Sequence, residues 1–210
     1  MIKEGGIGSG NFGHKGRPGR IGGSSKEPEV TDKEYELYND YWYHRTKTYA
    51  ANTRQSLLDY CSLGYKSFNR WLRDRKGFLE AGNDETYTKK AVENILSARR
   101  PSEQEWTVYR GANERYFKTL SVGDVFEEKG FTSTSISPAM TLKFTRFKNM
   151  PTILKFRIPE GKKIIYPSTS TEAEIILPPN QKFKVLKKYN SKVGTTFDEY
   201  DAQIVELELL

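Results

Sequence analysis

Residues 171–177 read TEAEIIL, in which two carboxylates, Glu172 and Glu174, stand two residues apart where an apolar run begins. A short aliphatic block entered from a polar turn is the pattern of a buried strand, so the Glu-x-Glu pair is expected to stand on a strand that follows the turn before Glu172. Working upstream, WTVYRGA at 106–112 and FTSTS at 131–135 are two more short β-rich runs. The first carries Arg110 at its end, beside Gly111. The second presents hydroxyls on both faces, Ser133 and Ser135 on one and Thr134 on the other. Around them VFEEKGFTSTS, TILKFRI, KKIIY, KFKVLKK and AQIVELEL carry the β texture from Pro101 to the C-terminus, broken by Gly, Pro, Asn and Ser.

Residues 31–100 have a different texture. Tyr65, Phe68, Asn69 and Leu72 share one face at helical spacing, and Ala91, Val92, Ile95 and Leu96 make a second apolar stripe. Gly77, Gly82 and the NDE stretch at 83–85 punctuate these amphipathic helices, and Pro101 closes them. Helices first and strands afterwards describe an α+β domain. The sequence has no internal repeat and no Gly-rich phosphate loop of the Walker or Rossmann kind.

At 210 residues the chain suits one large domain, or one domain with a tail. Nine of its 17 glycines fall in the first 25 residues, among basic residues and few apolar ones, so that stretch cannot bury a core. The division expected is a flexible Gly-rich tail or linker over 1–30 and a folded domain over 31–210. The tail resembles Gly-rich segments near domain junctions of tailed-phage head proteins, which tilts the source toward a phage or prophage. A formal charge of +7 fits nucleic acid, a membrane surface or an acidic protein, and does not choose among them. Cys61 is the only cysteine, which excludes an intramolecular disulfide; its thiol is expected simply to pack. MIKEGGIGSGNFGHKG has no apolar segment of signal-peptide length, and no stretch reaches the roughly 18 apolar residues of a membrane span. The expectation is therefore a chain made in a cytoplasm, acting there or carried on a virion into a host cell.

Taken singly, each of the three strand features has a bland explanation: a Glu-x-Glu on an exposed strand face, a Ser/Thr-rich edge strand, a surface arginine. Their order does not. Arg110, then Ser133-Thr134-Ser135, then Glu172-Ala173-Glu174 resemble the three motifs of the mono-ADP-ribosyltransferases of the Arg/Ser-Thr-Ser/Glu-x-Glu group, which includes the enzymatic components of binary toxins and arginine-specific transferases. SLLDYCSLGYKSFNRWLR at 56–73 resembles the helix that covers the nicotinamide side in that family, with Tyr60, Tyr65, Asn69 and Arg70 at matching separations. In LKFTRFK at 142–148, Phe144 and Arg146 match an aromatic and an arginine that follow the Ser-Thr-Ser motif. The resemblance spans roughly residues 45–210 and leaves TDKEYELYNDYWYHR outside it.

The resemblance implies a compact α+β fold in which N-terminal helices pack on two roughly perpendicular β-sheets that form an NAD-binding cleft. It implies NAD as substrate, with no metal; His14 and His44 are the only histidines, and no Cys/His cluster is present. It also implies a target protein bearing an acceptor arginine. Arg110 and Arg146 would hold the phosphates, the Gly111 backbone the nicotinamide amide, and Phe144 would stack on the nicotinamide ring. Tyr65, Asn69 and Arg70 would line the same site. Ser133 would hold Glu174, which stabilises the sugar cation formed as nicotinamide leaves. Glu172 would guide the acceptor, pointing to the same side as Glu174 if the backbone between them is extended. The polar turn YPSTST at 166–171, with Tyr166 its nearest aromatic, would recognise the acceptor. Two other functions stay open: an NAD glycohydrolase in which water is the acceptor, and a basic phage structural or nucleic-acid-binding protein that uses the tail.

Overall fold

The computed structural model describes residues 3–4, 26–112, 114–145, 151–169, 172–195 and 198–210. After a two-residue strand, β1 (Lys3–Glu4), the chain forms α1 (Asp32–Thr46), α2 (Ala51–Asp59), a single π-turn (Tyr60–Gly64), α3 (Tyr65–Arg73), α4 (Arg75–Glu80) and α5 (Glu85–Ser97). Their starts are written in the sequence. Thr31 and Glu34 form a reciprocal capping box on α1. Asp84 caps α5 through Tyr87 N at 3.0 Å. Asp74 caps α4 through Gly77 N at 3.0 Å, so the break after α3 falls at Asp74, and Gly77, expected to punctuate between helices, lies inside α4.

The π-turn has its own sequence cause. Leu57 and Tyr60 are buried, and Tyr65, Phe68 and Leu72 pack against the same core cluster. The step from Tyr60 to Tyr65 is five residues, which at about 100° per residue would leave the two halves of the stripe about 140° out of phase. One widened turn absorbs the extra residue and brings both halves back to the same core.

The second half alternates strands with two short helices: β2 (Arg100–Pro101), β3 (Trp106–Ala112), α6 (Glu114–Thr119), β4 (Val125–Glu128), β5 (Thr132–Ser135), α7 (Pro138–Thr145), β6 (Thr152–Ile158), β7 (Lys163–Ile164), β8 (Glu174–Leu177), β9 (Gln181–Thr195) and β10 (Asp198–Leu209). The strand order is β1-β4-β9-β10-β6-β3-β5-β8. β3 pairs with β6 along its whole length, from Trp106↔Ile158 to Ala112↔Thr152, yet meets β5 only at Tyr109↔Ser135. β5 and β8 pair from Thr132↔Leu177 to Ser135↔Glu174. An Ile165↔Ile176 bridge connects β8 to the segment after β7, which pairs with β2. Two blocks of sheet thus join through one residue pair.

The cores follow from strand alternation. Val108, Leu154, Phe156, Val205 and Leu207 face the large cluster that includes Tyr38 of α1. Tyr109, Ile153, Ala202 and Ile204 face the opposite side, covered by Leu142 of α7. A third cluster packs α2, α3 and α5 against Phe131, Ile165 and Ile176. Helix α1 is fastened to the small block by aromatic donors: Tyr38 Oη to the Glu174 carbonyl at 2.8 Å, Trp42 Nε1 to the Pro167 carbonyl at 2.9 Å, and Tyr49 Oη, just beyond the helix, to the Tyr166 carbonyl at 3.1 Å. Ahead of α1, Glu27 is buried and holds its segment to the large block. Its N–H donates to the Lys192 carbonyl at 2.9 Å, and its carboxylate accepts from Tyr189 Oη at 2.7 Å and Lys155 Nζ at 3.0 Å.

Candidate active site

The joint between the two blocks is where the three sequence motifs meet. Arg110 follows the Tyr109↔Ser135 pair by one residue and reaches back across it, donating from Nη1 to the Ser133 carbonyl at 2.6 Å. Its Nε is buried and has no hydrogen-bond partner among the described residues. Burial lowers the Arg110 pKa, with Arg73 adding to the fall; Tyr60, Glu128 and Glu174 act against it. A desolvated guanidinium with an unused donor is suited to an anion.

Ser133 carries a second set of bonds through its side chain. Its Oγ lies 3.0 Å from Tyr60 Oη, and Ser133 acts to lower the Glu174 pKa. Thr134, on the opposite face, donates to the Ile175 carbonyl at 2.6 Å and fastens β5 to β8. Ser135 donates to the Glu172 carbonyl at 2.6 Å, which fixes the turn ahead of β8. The three hydroxyls of one short strand therefore do three jobs.

Glu174 is half-buried at the first position of β8. Burial raises its pKa above the usual carboxylate range; Glu172 pushes in the same direction, while Ser133, Arg110 and Cys61 hold it down. The backbone between the two glutamates is not extended. Ala173 has φ 46°, a left-handed residue without the freedom of glycine. That kink, and not strand alternation, sets how the chain passes from Glu172 into β8. The Glu172 side chain is 38% exposed and lies 3.9 Å from Lys143 Nζ of α7.

On the helical side the structure separates the expected lining residues. Asn69 is buried, and its amide is consumed internally: Oδ1 accepts from Phe131 N at 2.7 Å and Nδ2 donates to the Phe131 carbonyl at 3.2 Å. It holds the residue that leads into β5. Gly130 permits this approach, because a Cβ there would stand 2.8 Å from Asn69 Oδ1 and 3.0 Å from the Arg73 guanidinium. Arg73 in turn donates from Nε to the fully buried Glu128 at 2.8 Å. Tyr65 is half-buried against the helical core, and Arg70 is exposed, with no partner among the described residues. Gly111 is half-buried and paired with Ile153. Phe144 falls on the last turn of α7; its side chain, and the whole of Arg146, lie outside the described residues, as do residues 170–171 of the expected acceptor turn. Tyr166 is buried in the large core and hydrogen-bonds Glu103 at 3.3 Å, so it is not presented on a turn.

Two site residues went unnoticed in the sequence. Tyr38 holds the Glu174 backbone from a helix that was left outside the resemblance. Cys61 does more than pack: its Sγ is 3.7 Å from Glu174 Oε2, and burial together with the two glutamates pushes its pKa up, which keeps the thiol protonated. A cavity of about 320 Å3 lies on the helical side, lined by residues including Asp59, Ser62, Asn83, Asp84 and Tyr87, and shares none of the three motifs. Among the described residues no group of three or more His, Cys, Asp or Glu could hold a metal, and no helix is long and apolar enough to cross a membrane.

The family model for the ADP-ribosyltransferase exoenzymes matches residues 35–206. The match begins ten residues before the sequence resemblance did and takes in most of α1. The Vis protein of Vibrio splendidus, which carries the name NAD(+)–arginine ADP-ribosyltransferase, is 29% identical over 176 residues, 76% of this chain and 69% of that protein. Among solved structures, Vis in complex with agmatine superposes with a TM-score of 0.64 at 22% identity, over 88% of each chain. The ADP-ribosylating toxin BECa of a Clostridium perfringens binary enterotoxin, solved with NADH, gives a TM-score of 0.68 at 18% identity over 84% of this chain and 47% of that one. These likenesses establish the fold and agree with the α+β class expected from helices followed by strands.

Proposed function

The chain belongs to the ADP-ribosyltransferase exoenzyme family, and on that premise we propose that it cleaves the nicotinamide–ribose bond of NAD and transfers the ADP-ribose to an arginine of a target protein. The observation that carries the reading is Glu174: a half-buried carboxylate paired with Ser135 on the strand whose Ser133 carbonyl holds Arg110, and preceded at two residues by a second carboxylate.

As nicotinamide leaves with the electron pair of the glycosidic bond, positive charge grows on the ribose. A carboxylate set in a partly dry cleft stabilises that charge far better than water would. Arg110 would take the pyrophosphate, since a guanidinium fork matches phosphate oxygens. The acceptor arginine stays protonated at neutral pH, its pKa exceeding about 12. Its guanidinium therefore needs a carboxylate to orient it and to take up the proton released when nitrogen bonds the ribose carbon. Glu172 has the exposure and the position for that part. The name of the Vis relative and its complex with agmatine, a guanidinium compound, support an arginine acceptor, and the NADH complex of BECa supports the dinucleotide.

The test is incubation with adenylate-labelled NAD, agmatine and a cell extract, following nicotinamide release and label transfer separately. Glu174→Gln should lose both by about 100-fold or more, the order seen when one group facing transition-state charge is removed. Glu172→Gln should lose transfer and keep most of the nicotinamide release. Nicotinamide release by the wild type with no label on agmatine or protein would mark the chain as a glycohydrolase. Equal loss of both activities in the Glu172 variant would undo the division of roles.

A further inference from the structure

Single π-turns are uncommon and recur at functional sites, because the wide turn re-aims the side chains it carries. The one between α2 and α3 directs two consecutive residues toward the same place. Tyr60 Oη meets Ser133 Oγ at 3.0 Å, and Cys61 Sγ lies 3.7 Å from Glu174 Oε2, within the reach of an S–H···O bond. The turn leaves no room for a side chain at Gly64, where a Cβ would stand 2.7 Å from the Asp59 carbonyl oxygen and 3.2 Å from Phe68 Cζ. We propose that this π-turn is the positioning element of the Glu174 carboxylate, with the Cys61 thiol donating to Oε2 and so setting the direction in which the carboxylate faces the ribose. The inference rests on Glu174 being the carboxylate that faces the sugar.

The groups around Glu174 leave this role to the π-turn. Ser133 comes from β5, Arg110 from β3 and Glu172 from the turn before β8; Tyr38 of α1 binds only the backbone carbonyl of Glu174. Ser133, which acts with Cys61 to lower the Glu174 pKa, is itself held by Tyr60, so both neutral groups beside the carboxylate depend on the π-turn. Cys61 stays protonated and is therefore a donor throughout the working range of pH. A donor to the ionised form of a carboxylate lowers its pKa. Removing the thiol should therefore raise the pKa of Glu174 and shift the acid side of the pH profile upward.

The test compares Cys61→Ala, Cys61→Ser, Gly64→Ala and Glu174→Gln by kcat and KM for nicotinamide release, pH profile and thermal melting. Cys61→Ala should lower kcat about tenfold, leave KM for NAD within about twofold and move the acid limb to higher pH. Cys61→Ser should recover kcat to within about threefold and return the limb, because it restores a donor. Gly64→Ala should change kcat and the acid limb in the same direction as Cys61→Ala. Wild-type kcat and an unmoved limb in Cys61→Ala, with Glu174→Gln inactive, would overturn the positioning role and leave the role of Glu174 standing. Equal impairment of the Ala and Ser variants would reduce Cys61 to packing and overturn it as well. An active Glu174→Gln would remove the premise.

Discussion

Replacing Asn69 by alanine separates a ligand-facing residue from a clamp. Its amide meets both backbone polar groups of Phe131, at 2.7 and 3.2 Å, and Phe131 is fully buried. Alanine would leave a buried N–H and a buried carbonyl without partners, at about 1–3 kcal/mol each. The total of about 2–6 kcal/mol corresponds to a melting point lower by roughly 4–24 °C in a protein of this size. Phe131 leads into the strand that carries Ser133, so kcat for nicotinamide release should fall with stability while KM for NAD changes little. The assay pairs thermal and urea denaturation with kinetics at a temperature where both proteins are folded. An unchanged melting point together with a KM raised tenfold or more would refute the reasoning and return Asn69 to the substrate-lining role expected from sequence.

Glu128→Gln breaks a pair in which the carboxylate is fully buried and Arg73 is partly exposed; urea denaturation should show a loss of about 2–4 kcal/mol, toward the lower part of the range for one partner of a buried pair. Glu174→Gln should melt higher than wild type near pH 8. Burial raises the folded pKa of Glu174, so the stability gained by holding its proton is complete below the unfolded value of about 4.3 and is lost as pH rises through the folded one. The advantage of the variant should therefore shrink toward pH 4, and a constant difference in melting temperature across that range would contradict the assignment.

Much of the site was legible because strand alternation is local. FTSTS predicts which hydroxyls share a face, and EIIL predicts a buried strand; both hold in β5 and β8. The stripe on α3 is equally local, and Phe68 and Asn69 are indeed its buried members. What Asn69 binds was not legible, since its partner is 62 residues away and an amide on an apolar stripe looks the same whether it faces a ligand or a backbone. The left-handed Ala173 has no composition signal, because only its neighbours force it. Helix α7 is readable in Ser137-Pro138, a helix start with proline at its first position, inside a half of the chain whose texture is otherwise β. The distal half of the β9–β10 hairpin runs through polar residues such as Asn190, Ser191 and Asp201 that pair with each other's strands, and polar pairing leaves no hydrophobic trace. The five-residue step from Tyr60 to Tyr65 was the available clue to the π-turn, and with it to Cys61.

The mooring of Glu27 also bears on how the protein can be handled. Glu27 binds beside Tyr109 and Lys155, and Tyr109 points to the face of β3 opposite Arg110. The segment ahead of α1 is thus fixed to the back of the sheet whose front carries the cleft. A label attached at Lys26 would therefore sit behind the sheet, away from the face of β3 that carries Arg110.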